Sequence, residues 1–122
     1  MNNPHTITIY NRYNDKYLKS ILNEVYWYGS ESINVSGKGI VDSGSISIII
    51  EKENLNKYVS ENDYQGEKQK FTLQNGMRIV LGIGPDINSL NDIPDNLKQM
   101  TVTSYEENIV GSSLDHILVT GR

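Results

Sequence analysis

The chain contains no cysteine, which excludes disulfide frameworks, thiol nucleophiles and cysteine-ligated zinc sites. Positive charge is also scarce: 11 Lys and Arg face 15 Asp and Glu, giving a net charge of -4. Because binding to a phosphate backbone needs clustered Lys and Arg, we expect no specific nucleic-acid binding. No stretch approaches the roughly 20 apolar residues of a membrane span, so we expect no membrane contact either.

The length of 122 residues fits a single domain, and strand patterns dominate it. Residues 6–10 alternate apolar and hydroxyl-bearing or aromatic side chains, and residues 45–51 are the clearest strand of the chain. Short strands separated by glycine and asparagine turns predict a mainly β fold, a small β-barrel or sandwich of about seven to eight short strands with one short helix. The core is predicted to comprise Ile7, Ile9, Trp27, Ile46, Ile48, Ile50, Ile79, Leu81, Val102, Ile117 and Val119.

Two segments carry less regular patterns. Residues 17–28 match both helical and strand spacing, but the β-favouring cluster 25–28 predicts two short strands broken near Asn23 and Glu24. Residues 53–70 are mostly polar, and we interpret them mainly as a long excursion from the sheet.

Turn and helix signals follow in the second half. The Asn75-Gly76 pair between residues 71–73 and 77–81 predicts a hairpin or turn. Residues 88–98 are the best helical candidate, since apolar residues recur there at helical spacing, although Pro94 limits the length of the helix.

A further strand is expected at 32–36, followed by a glycine-rich loop at 37–44.

Chemistry-bearing motifs are absent from the sequence pattern. His5 and His116 lack the spacing of a metal motif, and Asp115 next to His116 in a strand points to the opposite face. Residues 82–85 (Gly-Ile-Gly-Pro) lack the frame of a phosphate loop and are interpreted as a turn. We therefore predict no catalytic residues, no metal, no cofactor and no enzymatic activity.

Four exposed apolar residues are the candidates for protein contact. Tyr26 and Tyr28 flank Trp27, which we assign to the core, so the two tyrosines fall on the opposite face. Ile109 and Val110 lie in the loop 106–113 between acidic residues and Gly111, where they either dock a partner or cap the end of the barrel.

Several segments together resemble a known family. Residues 6–16, the region of Trp27, residues 71–82 and residues 101–121 look like the tailed-phage head–tail joining or head-completion proteins, also called stoppers or minor capsid proteins.

The resemblance is most detailed near the end of the chain. The family pattern there is a strand, an asparagine-containing loop with glycine, and an aspartate or proline before a histidine in the last strand. Here residues 102–104, Asn108, Gly111, Asp115 and His116 occupy those places. The sequence departs from the pattern at residues 109–110, where a basic residue is common in the family.

The resemblance implies a structural virion protein at the head–tail interface, synthesised in the cytoplasm of a bacterial host. Such proteins form rings of six or twelve copies beneath the portal and adaptor, close the channel after DNA packaging and receive the tail. A capsid decoration or tail-terminator protein is the alternative within the virion. A carbohydrate-binding β module that uses Tyr26 and Tyr28 is the alternative from a different class.

Overall fold

The computed structural model describes residues 4–29 and 45–122. Six strands in this part of the chain close into a barrel in the order β1-β2-β3-β6-β5-β4, with every neighbouring pair antiparallel. The strands are β1 (His5–Tyr13), β2 (Lys16–Gly29), β3 (Ile46–Glu51), β4 (Arg78–Leu81), β5 (Gln99–Asn108) and β6 (His116–Gly121). The predicted mainly β fold is confirmed, and the architecture is the barrel rather than the sandwich.

Helical structure lies elsewhere than predicted. The short α-helix α1 is Lys52–Leu55, while the predicted helix at 88–98 contains only the 3-10 helix Leu90–Asp92. A reciprocal cap explains the tight turn, because Ser89 and Asp92 satisfy each other's backbone N–H groups. A second 3-10 helix is Glu61–Asp63.

Strand β2 changes partners halfway along its length. Its first part pairs with β1 and its last residues pair with β3, so β2 belongs to two sheets. Between Leu22 and Val25 the register with β1 shifts, and Glu24 has a φ of 62°. The predicted break near Asn23 and Glu24 is therefore a β-bulge inside one strand, and the two predicted strands are wrong as separate elements.

The barrel interior is filled by the alternate apolar residues of the strands. Nine of the predicted core residues are buried, while Ile46 and Leu81 are half-buried and pack against the cluster. The confirmed nine are Ile7, Ile9, Trp27, Ile48, Ile50, Ile79, Val102, Ile117 and Val119.

Residues 71–73 do not form the predicted hairpin with β4. Phe71 and Leu73 are fully buried in the core, and the segment makes only an isolated parallel bridge from Phe71 to Tyr58. The Asn-Gly pair still forms a turn, since the N–H of Met77 donates to the carbonyl of Gln74.

Strand β1 is buried on both faces, unlike the one-sided strand that its alternation predicts. Residues 82–98 cross the outside of the barrel. Their Ile87 and Ile93 pack with Tyr10 of β1 and Val80 of β4. The hydroxyl of Tyr10 donates to the carbonyl of Pro85 at 2.6 Å, which fixes the predicted turn at 82–85 against the sheet. The strand predicted at 32–36 and the loop predicted at 37–44 lie outside the described residues.

The excursion at 53–70 packs onto the barrel. The Asn54 amide is buried and donates to the carbonyl of Asn23 at 2.7 Å. Tyr64 packs edge-on against Tyr13 at 5.7 Å between ring centroids, and the hydroxyl of Ser20 donates to the carbonyl of Lys70. These anchors hold the segment across the side of the barrel beside β2.

Candidate protein-contact face

One side of the barrel carries an apolar row on its outer surface. This side consists of the end of β2, of β3 and β6, and of most of β5. The strand registers pair Tyr26 with Ile49, Ile49 with Leu118, and Leu118 with Glu106. Alternate residues of these strands face the core, so this row faces outward. Tyr26 is exposed, and Ile49 and Leu118 are half-buried. We call Tyr26, Tyr28, Ile49 and Leu118 the contact face.

Three aromatic rings stand in line at one edge of the contact face. The rings of Tyr26 and Tyr28 lie 5.1 Å apart, and the ring of His5 lies 5.9 Å from Tyr26. His5 is fixed in place because its Nδ1 accepts a hydrogen bond from the N–H of Trp27 at 3.0 Å. Trp27 is buried in the core, as predicted, and the two tyrosines remain 40% and 43% exposed. The sequence prediction of an outward tyrosine pair is confirmed.

The loop between β5 and β6 is organised by Asp115. Its Oδ1 accepts hydrogen bonds from the N–H groups of Val110 and Ser112, at 2.9 and 3.0 Å, and its Oδ2 accepts from the N–H of Gly111 at 3.0 Å. These bonds lower the pKa of the Asp115 carboxyl, and the bonds from Val110 and Ser112 contribute most to that lowering. Gly111 has a φ of 90°, a conformation that few residues other than glycine adopt.

This loop presents apolar side chains to solvent. Val110 and Leu114 are 85% and 80% exposed, and Ile109 is 43% exposed. An exposure of 85% disfavours the alternative in which Ile109 and Val110 cap the barrel end for Val110, and the alternative stays open for the half-exposed Ile109. A loop that exposes aliphatic groups while its backbone amides are hydrogen-bonded is a candidate interaction element.

A groove of about 390 Å³ separates this loop from the end of β3 and α1. Ile49, Glu51, Lys52 and Glu53 line it from β3 and α1, and Leu114 contributes the apolar side chain from the loop. The groove is continuous with the contact face, because Ile49 belongs to both.

The two histidines and Asp115 have separate partners. In His116, Nδ1 lies 3.0 Å from the carbonyl of Leu114 and Nε2 lies 3.3 Å from Nδ2 of Asn108. The carboxylate of Asp115 accepts hydrogen bonds from the loop amides, and His5 is the first residue of β1. Within residues 4–29 and 45–122, no group of three or more His, Cys, Asp or Glu side chains is placed to hold a metal ion.

Sequence reasoning missed a polar pair at the end of the barrel. The hydroxyl of Tyr58 donates to the carboxylate of Glu107, 49 residues further along the chain. Burial and this hydrogen bond raise the pKa of Tyr58, and burial also raises that of the neighbouring Tyr105. No local pattern in the sequence joins these residues, because the excursion at 53–70 brings Tyr58 to the barrel end.

The fold and the exposed face define a small closed β-barrel with an apolar outer surface on one sheet. The chain belongs to DUF6751, a family of unknown function, whose model matches residues 2–122. No curated protein and no solved structure matches the chain. Among the described residues, no helix combines the length and the hydropathy that crossing a membrane requires.

Proposed function

We propose that this protein is a structural subunit of the head–tail connector of a tailed phage. In this role it assembles into a ring of six or twelve copies, closes the portal channel after DNA packaging and receives the tail. Its partners are further copies of itself and the portal, adaptor and tail proteins, and its site of action is the virion. It acts through surfaces rather than through a catalytic centre.

One observation carries the proposal: four residues from the most detailed part of the family resemblance build the exposed loop. Asp115 holds the loop amides, Gly111 supplies its left-handed backbone, and Asn108 meets His116 at its base. A resemblance confined to core strands would support only the fold. Here the matching positions shape a solvent-exposed element that fits a docking role, and its apolar residues Ile109 and Val110 stand where the sequence departs from the family pattern.

The first test is the position of the gene and of the protein. We expect portal, capsid and tail genes beside this gene, and we expect electron microscopy of labelled particles to place the protein between head and tail. Label over the whole capsid would favour a decoration protein, and label at the end of the tail tube would favour a tail terminator. A gene without virion neighbours would contradict the proposal.

The second test alters the loop. Replacing both Ile109 and Val110 with Ser removes apolar groups that are 43% and 85% exposed, so the barrel should fold normally. DNA-filled heads without tails should accumulate. The matched control is Ile83→Ser, which removes another exposed aliphatic group, 66% exposed, on the turn over β1. Tailed particles at normal yield from the double variant would contradict the docking role.

A carbohydrate-binding module is the second candidate, favoured by the row of three rings at Tyr26, Tyr28 and His5. Aromatic faces on β domains stack against sugars. A glycan array tests this candidate, and binding that disappears in Tyr26→Ala and persists in Tyr105→Phe would support it over the connector role.

A further inference from the structure

The sequence contains a single Asn-Gly step, at Asn75 and Gly76, and both residues are exposed in the structure. They form the centre of the turn from Gln74 to Met77, in which the N–H of Met77 donates to the carbonyl of Gln74 at 3.3 Å. Gly76 has a φ of 94°, and beyond its chain neighbours no atom lies within 4 Å of the place where a Cβ would stand. The step is chemically labile, because no side chain at Gly76 hinders an attack of its nitrogen on the Asn75 side chain.

The reaction at such a step needs only the chain and water. The backbone nitrogen of Gly76 attacks Cγ of Asn75, a C–N bond forms, and the side-chain amide leaves as ammonia, which takes up the proton of the former N–H. Water then opens the resulting succinimide at either of its carbonyl carbons. Opening at Cγ gives aspartate, whereas opening at the backbone carbonyl carbon gives isoaspartate, whose main chain runs through Cγ.

In the folded chain the attacking nitrogen already has a partner. The N–H of Gly76 donates to the carbonyl of Val102 at 2.8 Å, and the N–H of Val102 donates to the carbonyl of Met77 at 2.9 Å. Two backbone hydrogen bonds therefore fasten the turn to β5. Attack requires the nitrogen to lose its proton and to turn toward Asn75, so the bond to Val102 has to open first.

We propose that Asn75 is a deamidation site at which the hydrogen bond from Gly76 to Val102 holds the reaction back. Isoaspartate places an additional atom in the backbone at this position, which shifts Gly76 and Met77 relative to Val102. The two bonds between the turn and β5 are then lost beside the short pairing of β4 with β5, which covers only residues 78–80 of β4. Modification therefore loosens β4 from β5. The inference does not depend on the connector role.

The experiment incubates the full chain at mildly alkaline pH, with and without urea, and follows residue 75 by peptide mapping and mass spectrometry. We expect conversion of Asn75 to be about tenfold or more slower in the folded chain than in urea, because the turn must open locally. The Gly76 amide should be protected from hydrogen exchange although the residue is exposed, and sub-denaturing urea should raise exchange and deamidation in parallel. Asn96, an exposed asparagine followed by leucine, is the internal control and should stay intact in both samples.

The variant Asn75→Asp separates the new charge from the new backbone linkage. It carries the carboxylate on an ordinary main chain, so it should unfold at the same denaturant concentration as the parent chain, whereas the purified isoaspartate form should unfold at a lower one. Absence of conversion in urea, equal rates in the folded and unfolded chain, an unprotected Gly76 amide, or an isoaspartate form as stable as Asn75→Asp would overturn the inference.

Discussion

Asn11 and Thr72 exchange two hydrogen bonds inside the barrel although they are 61 residues apart. The amide of Asn11 donates to the carbonyl of Thr72 at 2.9 Å and accepts from its N–H at 3.0 Å. The side chain thereby imitates the backbone of a neighbouring strand. This pair satisfies the buried backbone of Thr72, while the backbone of the preceding Phe71 pairs with residues 57–59.

Asn11→Ala should destabilise the protein by about 2 to 5 kcal/mol, because it leaves a buried N–H and a buried carbonyl without partners. Chemical denaturation measures the change. Asn96→Ala, at an exposed asparagine, should change the free energy of unfolding by less than about 0.5 kcal/mol. A loss at Asn11 as small as that of the control would show that the buried pair contributes little.

Thr72→Val is predicted to stabilise the protein, whereas Asn11→Ala destabilises it. The hydroxyl of Thr72 is buried and has no hydrogen-bond partner among the described residues. An isosteric methyl group removes that unsatisfied oxygen and leaves both backbone bonds to Asn11 in place, so stability should rise by about 1 kcal/mol. A fall in the midpoint of denaturation would contradict this assignment.

Ile48 and Ile49 are adjacent residues with opposite environments. Ile48 is fully buried in the barrel core, and Ile49 lies half-buried on the contact face. Ile48→Ala should cost about 2 to 5 kcal/mol through lost burial and a residual cavity, and Ile49→Ala should cost less than half as much. Equal losses in denaturation experiments would show that the two faces of β3 are misassigned.

The hydroxyl of Tyr10 occupies the space that a side chain at Gly84 would need. A Cβ atom at Gly84 would clash with that oxygen, so Gly84→Ala should cost about 1 to 3 kcal/mol. Tyr10→Phe removes the oxygen and its hydrogen bond to Pro85, at a cost of about 1 kcal/mol. The double variant should lose less stability than the two single variants combined. Strict additivity would mean that the close approach is not the cause.

Asp115 should make the loop sensitive to acid. Its pKa is lowered in the folded protein, chiefly by the N–H groups of Val110 and Ser112, so protons bind more readily to the unfolded chain. The stabilisation is complete above the ordinary aspartate pKa of about 3.9 and is lost as the pH falls through the lower folded value. Protection of the amides at residues 110–112, measured relative to their intrinsic exchange rate at each pH, should fall in that range before the barrel unfolds.

Asp115→Asn tests the same hydrogen bonds at neutral pH. The amide offers only one acceptor oxygen in place of two, so exchange at Val110, Gly111 and Ser112 should accelerate while β5 and β6 stay protected. Unchanged exchange in the loop would show that the carboxylate does not hold it.

Local periodicity predicted the core well, because alternation depends only on neighbours along the chain. The buried positions of Ile48 and Trp27, and the outward tyrosines beside Trp27, follow from period two alone. Local periodicity could not predict contacts between segments that are distant in the sequence. Tyr10 follows Ile9 and so lies on the outer face of β1, where only the passage of residues 82–98 buries it.

The candidate site was predicted in part for the same reason. Tyr26, Tyr28, Ile109 and Val110 were recognisable as apolar residues at exposed positions of a strand or loop. Ile49, Leu114 and Leu118 were not, since their common surface exists only where β3 and β6 become neighbours. The role of Asp115 as the acceptor for three loop amides likewise depends on the fold of the loop.

The bulge at Glu24 also sets the phase of side chains along β2. Leu22, Val25 and Trp27 all face the core, although an uninterrupted strand would send Leu22 and Val25 to opposite sides. The extra residue reverses the alternation at the point where the strand leaves β1 for β3. Deleting Glu24 would restore strict alternation with Leu22, Val25 and Trp27 still inside and the two tyrosines outside. A one-residue deletion at this bulge would thus remove the extra bend and twist that the bulge gives the strand, and the contact face would still point outward.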